Sequence, residues 1–431
     1  MLSMFGMKKT VKEWLTLLAI CIAGGVIFKI AYLRDVFYVP MREAFNATDT
    51  ELGWMMTAFA VTQFISYLPG GWMTDIVPVK ILVPLSLILT GLCGFWMATF
   101  PSFTIVLVIQ AIMGVTITLL FWEAMIKGTR MIGTHEEQGR LFGLLEGGRG
   151  LFSTIISFIA LAIFGQFASA QMGLRTTMIF YGAVLVALGV LCYFLIEKNE
   201  VEGHINAKEA LTGMIQVAKL PKVWLAGAIV FFGYSFYNGL GYLTPYLTDE
   251  YGMSVNLSSA LSIVRTYLIA FIAAPIGGMI ADRMGSRIKF LKVALIIGAV
   301  LTACYIVLPA GSPIVLVVAL MLILAVVVMM IRGTYYSTTA EIGIPVALAG
   351  AAAGILSLVG NTPDFFIFTL YGHFIDAYPG AFGYKLIFIV MVVFALLGLV
   401  CAIALAAIVK KEGNKKSSIT IGNDIGKDSG K

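Results

Sequence analysis

Residues 123–150 read EAMIKGTRMIGTHEEQGRLFGLLEGGRG. This polar, glycine-rich island separates two long apolar runs. It carries Glu123, Lys127, Arg130, Arg140, Glu146 and Arg149 in a chain of 431 residues that is only 12% charged. Part of it recurs: Met125-Ile126-Lys127-Gly128-Thr129 returns as Met330-Ile331-Arg332-Gly333-Thr334, an offset of 205 residues. A charged island bordered by membrane-length apolar segments, and partly duplicated later, predicts a membrane protein made of two related halves.

Composition points the same way. The chain is 60% hydrophobic with a mean hydropathy of +0.96. A soluble protein of this size cannot bury that much apolar surface, so the bilayer is the expected solvent. The first apolar run begins near Trp14, is too long for the core of a signal peptide and lacks a small-residue cleavage site, so no cleavable leader is expected. The net charge of +6 lies in short loops between apolar runs. That distribution is a topology signal and argues against a nucleic-acid partner. The five cysteines (Cys21, Cys93, Cys192, Cys304, Cys401) fall inside apolar runs without disulfide or metal-ligand spacing and read as packing residues. Three scattered histidines give no metal site, and no cofactor is expected.

Working outward from the island, apolar runs fall at about 14–36, 51–73, 80–99, 103–126, 141–168, 175–196, 223–247, 256–280, 288–309, 313–332, 346–374 and 384–409. Each has roughly the 20 residues a helix needs to cross the hydrocarbon. The expected fold is therefore all-α, with about twelve transmembrane helices in two pseudo-symmetric six-helix bundles. Lys8, Lys9, Lys12, Lys80, Lys127, Arg130, Arg140, Lys198, Lys208, Lys219, Lys222, Arg283, Arg287, Lys289, Lys292 and the tail from Lys410 fall on one side. The other side holds little beyond Arg34, Arg42, Arg175 and Lys385. This asymmetry predicts cytoplasmic N- and C-termini in a bacterial inner membrane. The expected organisation is a first bundle over 1–196, a cytoplasmic linker over 197–221, a second bundle over 222–410 and a disordered tail over 411–431.

Internal repetition supports the split. Gly71-Trp72-Met73-Thr74-Asp75-Ile76-Val77-Pro78-Val79-Lys80 follows the second span, and Gly278-Met279-Ile280-Ala281-Asp282-Arg283-Met284-Gly285-Ser286-Arg287 follows the eighth. Tyr32 and Pro40 have counterparts in Tyr237 and Pro245, again 205 residues on. Twelve spans, the six-plus-six split and this G-x-x-x-D-[RK]-x-G-x-[RK] loop resemble the major facilitator superfamily over Trp14 to Lys410. The resemblance implies a secondary transporter working by alternating access, with Asp75, Asp282, Arg283 and Arg287 in gating. The second copy of the loop is complete; the first has Ile76 and Pro78 where a basic residue and glycine are usual. Gln110 precedes Gly114 by four residues in the fourth span, where many proton-driven members have arginine. Thr134-His135-Glu136-Glu137-Gln138-Gly139 resembles the loop entering helix 5 in the organophosphate:phosphate antiporters and related organic-anion transporters. Alignment on Gly139 puts Arg149 where those antiporters carry a substrate-site histidine. Tyr32 and Tyr237 stand where that branch has its phosphate-clamping arginines, so that pair is absent.

Charges inside spans are costly and usually face a cavity or a partner. Lys29 lies in the first span beside Gly24 and Gly25, with Tyr32 one turn on. Arg149 lies two turns into the fifth span with Glu146 one turn before it. An arginine fork suits a carboxylate, sulfonate or phosphonate. Arg265 and Asp364 are mid-span, the latter in Asn361-Thr362-Pro363-Asp364, which sets a helix breaker among polar side chains. Tyr234 and Tyr237 share a helical face with Asn238 and match Lys29 and Tyr32 by the 205 offset. Expected substrate contacts are thus Lys29, Tyr32, Arg149, Tyr234, Tyr237 and Arg265, with Glu146 and Asp364 as proton-coupling candidates. Glu123 and Lys127, spaced for an i,i+4 pair, join Arg130 and Arg332 as an expected inner gate. His373 and Asp376 read as outer-loop residues.

The expected function is transport of a small organic anion with protons or by exchange, by a monomer whose partners are its solute and the lipid bilayer. The alternative is a polyspecific exporter of hydrophobic or cationic compounds, in which Glu146 or Asp364 dominates the cavity. No nucleophile–base pair or phosphate-binding glycine loop suggests an enzyme or an ATP-driven pump.

Overall fold

The computed structural model describes residues 9–134, 137–197, 207–309, 311–344 and 348–428. Among these no strand occurs, as expected in hydrocarbon, where an open sheet edge would leave backbone groups unsatisfied. Twelve long helices carry the fold: α1 (Val11–Ala31), α2 (Asp49–Ile76), α3 (Val79–Met97), α4 (Phe103–Arg130), α5 (Gln138–Phe164), α6 (Ala170–Leu195), α7 (Pro221–Asp249), α8 (Val255–Arg283), α9 (Arg287–Val307), α10 (Ile314–Glu341), α11 (Ala351–Ala377) and α12 (Ala381–Asp428). All but α2 are long and apolar enough to cross a membrane by composition alone. Helix α2 has the length, 28 residues, but carries Thr57, Thr62 and Gln63 along its course. It lies between α4 and α11, so those groups meet protein as well as lipid.

Helix ends follow local chemistry. Thr10 and Thr48 each form a capping box, with Glu13 and Glu51 at the third helical position. Pro221 opens α7, where its missing N–H costs nothing. In the complete loop motif, Gly285 takes φ +66° and the Ser286 side chain caps α9. In the other copy Pro78 is the N-cap residue of α3 at φ −58°, so that turn needs no glycine. A short helix, Ala207–Ala218, lies in the linker. The tail, expected to be disordered from 411, continues α12 as helix to Asp428. Extending a helix already anchored in the bundle requires no new nucleation.

The two halves repeat one packing scheme. In the first, α3 packs on α6, α2 on α4 and α1 on α5. In the second, α9 packs on α12, α8 on α10 and α7 on α11. The main contacts between halves are themselves a matched pair, α2 with α11 and α5 with α8. Alternate crossing puts Thr10, the linker and the end of α12 on one face, here the termini face. Residues 33–49, 97–103 and 249–255 lie on the opposite, far face.

The α3–α6 contact depends on two glycines placed reciprocally. A Cβ on Gly91 would sit 2.8 Å from the Gly182 carbonyl oxygen, and one on Gly182 would sit 2.9 Å from the Gly91 carbonyl oxygen. Without a hydrophobic force between helices in lipid, such close backbone approach is what binds them. Gly91→Leu should therefore overpack this seam at a cost of about 1–3 kcal/mol. It should lower the melting temperature of the protein in detergent, whereas Leu92→Ala, at an exposed neighbouring position, should leave it nearly unchanged.

Candidate functional site

The ionisable residues of the spans sit where helices depart from regular α geometry. Lys29 lies in the last turn of α1, just past Ile27, whose backbone stays helical and donates to the Ala23 carbonyl. A 3₁₀ turn, Leu33–Asp35, then supplies Arg34 and Asp35. Arg265 lies in a π-helical turn, Val264–Leu268, of α8. Asp364 lies in the 3₁₀ turn Thr362–Phe365, where Pro363 removes a backbone donor from α11. A second π segment, Thr116–Trp122, precedes Glu123 in α4. Wide turns of this kind are frequent at functional sites because they re-aim side chains without ending the helix.

These distortions bring residues of both halves together. Lys29 is 5% exposed and its Nζ lies 2.9 Å from the centroid of the Tyr267 ring, across the α1–α8 seam. Arg265 is 1% exposed; Nη2 donates to Ser262 Oγ at 3.1 Å, while Nη1 is buried without a hydrogen-bond partner. Ser262 in turn donates to the Asp35 carbonyl, and Ser259 to the Val36 carbonyl at 2.7 Å. The Asp35 carboxylate interacts electrostatically with Arg34, Arg265, Lys29 and Arg332. Tyr237 stacks on Tyr234 at 5.9 Å, and Arg332 Cζ lies 4.2 Å from the Tyr237 centroid. Both Asp364 oxygens are engaged, accepting from Tyr234 Oη at 2.8 Å and Asn238 Nδ2 at 2.7 Å. Tyr32 packs edge-on against Phe59 at 5.3 Å.

Of the expected contacts, Lys29, Tyr234, Tyr237 and Arg265 thus belong to one central group, with Tyr32 in the electrostatic range of Asp35, Asp364 and Tyr237. Arg149 borders the group from α5, within electrostatic range of Lys29, and is already committed. Its Nη1 pairs with Glu146 at 2.6 Å, its Nε donates to the Gly24 carbonyl at 3.4 Å, and its guanidinium lies over the Trp122 ring at 5.2 Å. The Glu146 side chain is 66% exposed.

The gating residues are on the termini face. Lys127 does not pair with Glu123 as its spacing predicts. Its Nζ reaches Asp75 Oδ1 at 3.2 Å and the Thr74 carbonyl at 2.9 Å, because the end of α2 offers a carboxylate and a free helix-end carbonyl together. Arg287 pairs with Asp282 at 2.7 Å, and Arg283 is exposed. Lys9 pairs with Glu137 at 2.6 Å; that bond and one from the Thr134 amide hold the Glu137 carboxyl below its usual range. Glu341, not singled out from the sequence, accepts from Ser286 Oγ and the Ile288 amide at the start of α9. His135 and Glu136 of the quoted island lie outside the described residues.

The sequence reading missed the far face. Arg34 and Arg42, read as loop topology residues, and Asp376, read as a loop residue, all tie the halves together. Arg34 is 2% exposed, lies over the rings of Tyr38, Tyr242 and Phe368, and donates to the Leu52 carbonyl. Arg42 bridges Asp49 in the first half (3.2 Å) and Asp249 in the second (2.9 Å), and Tyr384 also donates to Asp249. Asp376 lies in α11 and caps α2 of the other half, accepting from the Asp49 and Thr50 amides. Beneath this layer, Thr57 donates to the Phe365 carbonyl. Tyrosine and arginine spacing around Pro40 and Pro245 was the available signal, but nothing local names a partner some 200 residues away. The cross-half hydrogen bonds of Asp35, Val36, Arg42, Asp49, Thr50 and Thr57 lie between this face and mid-span. The termini-face ion pairs Lys9–Glu137, Lys127–Asp75 and Arg287–Asp282 each stay within one half. The halves are thus tied together at the far face, while Arg332 and Glu146 are exposed on the other side of the central group.

A twelve-helix, two-bundle fold with a charged centre at the seam defines a membrane transporter. The chain belongs to the Major Facilitator Superfamily, whose sequence profile matches residues 16–366. It is 33% identical over 417 residues to "Inner membrane protein YihN" of Escherichia coli K12, covering 95% of this chain and 98% of that one. It is 26% identical over 284 residues to "Probable sulfoacetate transporter SauU" of Cupriavidus necator, covering 61% and 62%. The fold superposes with a TM-score of 0.78 on a bacterial homologue of the lysosomal transporter Spinster, solved inward-facing and unoccupied, at 13% identity over 94% of this chain and 99% of that one. The chain is accordingly a secondary transporter and not an enzyme.

The far-face layer makes a direct prediction. Arg42→Gln leaves Asp49 and Asp249 facing each other without their shared cation, and like charges repel. A nitroxide pair at Glu43 and Glu250, one in each half, should then report a longer and broader distance distribution than in the parent protein. An unchanged distribution would remove Arg42 from the closure.

Proposed function

We propose that the protein moves a small organic anion (carboxylate, sulfonate or phosphonate) across a bacterial inner membrane by alternating access, driven by protons or by exchange. One observation carries this reading: Lys29 and Arg265 are buried at the seam of the two halves, and neither has a carboxylate within ion-pair distance among the described residues. A lysine or arginine at mid-membrane depth costs about 2.5–3.5 kcal/mol on insertion scales. An anionic solute offsets that cost only while bound, so its binding free energy is spent where the two halves must move together. The sulfonate named for the relative SauU is the solute type such a pair of donors accepts.

In this reading Tyr32, Tyr234 and Tyr237 shape the site, and Arg149 with Glu146 forms its entrance. Glu146, exposed at the entrance and paired with Arg149, is the candidate for proton coupling. Asp364 is held by two donors and serves to fix Tyr234. The termini face is the cytoplasmic one, from its excess of lysine and arginine, so the described conformation opens inward. Asp75, Lys127, Asp282 and Arg287 then belong to an inner gate that is apart in this state. Asp364, already saturated, is poorly disposed to bind a cationic solute, which counts against the exporter reading.

Uptake of radiolabelled sulfoacetate into proteoliposomes tests the proposal. Saturable flux is expected, and Lys29→Ala or Arg265→Ala should lower it about tenfold or more, the loss that follows from one charge-assisted contact of roughly 1.5–3 kcal/mol. Normal flux in both variants would refute the anion site. Inhibition by lipophilic cations alone would favour the exporter instead.

A further inference from the structure

The central group carries more positive than negative charge. Lys29, Arg34, Arg265 and Arg332 converge on it from α1, α8 and α10, and Asp35 interacts with all four. Asp364 is the second carboxylate, within range of Asp35 and Arg332. Among the described residues, Lys29, Arg265 and Arg332 make no ion pair with either carboxylate. Other charges along the opening are paired: Arg149 with Glu146 and Lys127 with Asp75. Burying unmatched charge is expensive, and a bound counter-ion is the usual remedy.

The free donors also lie at two places. Arg265 Nη1 is buried without a partner beside the seam that Lys29 shares with Tyr267. Arg332 rests on the Tyr237 ring of α7, with its side chain exposed and, among the described residues, no carboxylate in ion-pair contact. Arg265 is on α8, so the free donors of the two arginines come from different helices of the second half. Arg332 arises from the repeat of the Lys127 stretch, yet it does a different job. Lys127 is satisfied by Asp75 at the end of α2, whereas Arg332 has no such partner.

We propose that the site takes a dianion: a short molecule with two acid groups, one received by Lys29 and Arg265 and the other by Arg332. This rests on the organic-anion reading and narrows it. A single acid group would satisfy one place and leave the other cation bare. Inorganic sulfate carries the charge on one group and not on two. Arg332, which the repeat alone marks as a gate residue, becomes a specificity determinant that separates dianions from monoanions.

Thermal stabilisation of the purified full-length protein tests this, with sulfoacetate, malonate and methanedisulfonate against acetate, methanesulfonate and inorganic sulfate at neutral pH. A ligand that binds only the folded state raises the apparent melting temperature. The parent protein should respond to at least one two-headed dianion and to none of the other three. Arg332→Gln should bind that dianion about tenfold more weakly, the loss of one charge-assisted contact. It should no longer prefer dianions over methanesulfonate or acetate, while Arg332→Lys should retain the preference. Stabilisation of the parent by monoanions or sulfate as strongly as by any two-headed dianion would overturn the dianion assignment and leave the anion reading standing. An unaltered dianion preference in a folded Arg332→Gln would overturn it equally. No response to any anion would refute both.

Discussion

Hydrocarbon offers no water to a buried charge, and this one constraint arranges the rest of the molecule. Each ionisable side chain in a span must find a partner, an aromatic face or a cavity. Most do. Arg34 is enclosed by three rings, Asp364 by a tyrosine and an asparagine, and Arg149 by a glutamate one turn away. Among the described residues, Lys29 has an aromatic ring and no ion pair, and Arg265 has one serine for Nη2 and nothing for Nη1. The residues the protein fails to satisfy by itself mark the place where it needs something from outside.

The helices accommodate those side chains by yielding locally. A π turn in α8 and a 3₁₀ turn in α11 each sit under a charged residue of the central group. Departures from α geometry free backbone groups, and such groups are tolerated in a membrane only where protein or a water-filled cavity receives them. Regular helices would have carried the same residues to lipid or to the wrong neighbour.

The architecture was legible in the sequence because its causes are local. Run length gives the spans, and the repeated Gly-x-x-x-Asp loop, together with the 205-residue offset of the Lys127 stretch, gives the duplication. Asn361-Thr362-Pro363-Asp364 announced an interrupted helix, and Lys29, Arg265 and the two tyrosines of α7 announced a polar centre. Partnership is another matter. Lys127 is spaced for Glu123 but meets Asp75, since the end of α2 presents more acceptors than one turn of its own helix. Arg42, Asp249 and Asp376 looked like loop charges, since a bridge between residues 42 and 249 leaves no trace in either neighbourhood. Asp35 escaped notice for the same reason: its importance lies in four cations brought to it by three helices.

Closure and charge meet at one seam. The turn that follows Lys29 presents the Asp35 carbonyl to Ser262, and Ser262 is the partner of Arg265. The same turn presents the Val36 carbonyl to Ser259 and sets Arg34 between the aromatic rings of both halves. A few residues on, Arg42 bridges the halves again at the surface. The stretch from Lys29 to Arg42 is therefore continuous from the site to the far-face closure. If Lys29 and Arg265 hold the solute as proposed, its binding reaches the contacts that tie the far face together through this same short segment. Occupancy and the choice of open face would then be linked by covalent neighbourhood, through a two-sided contact and without any long relay.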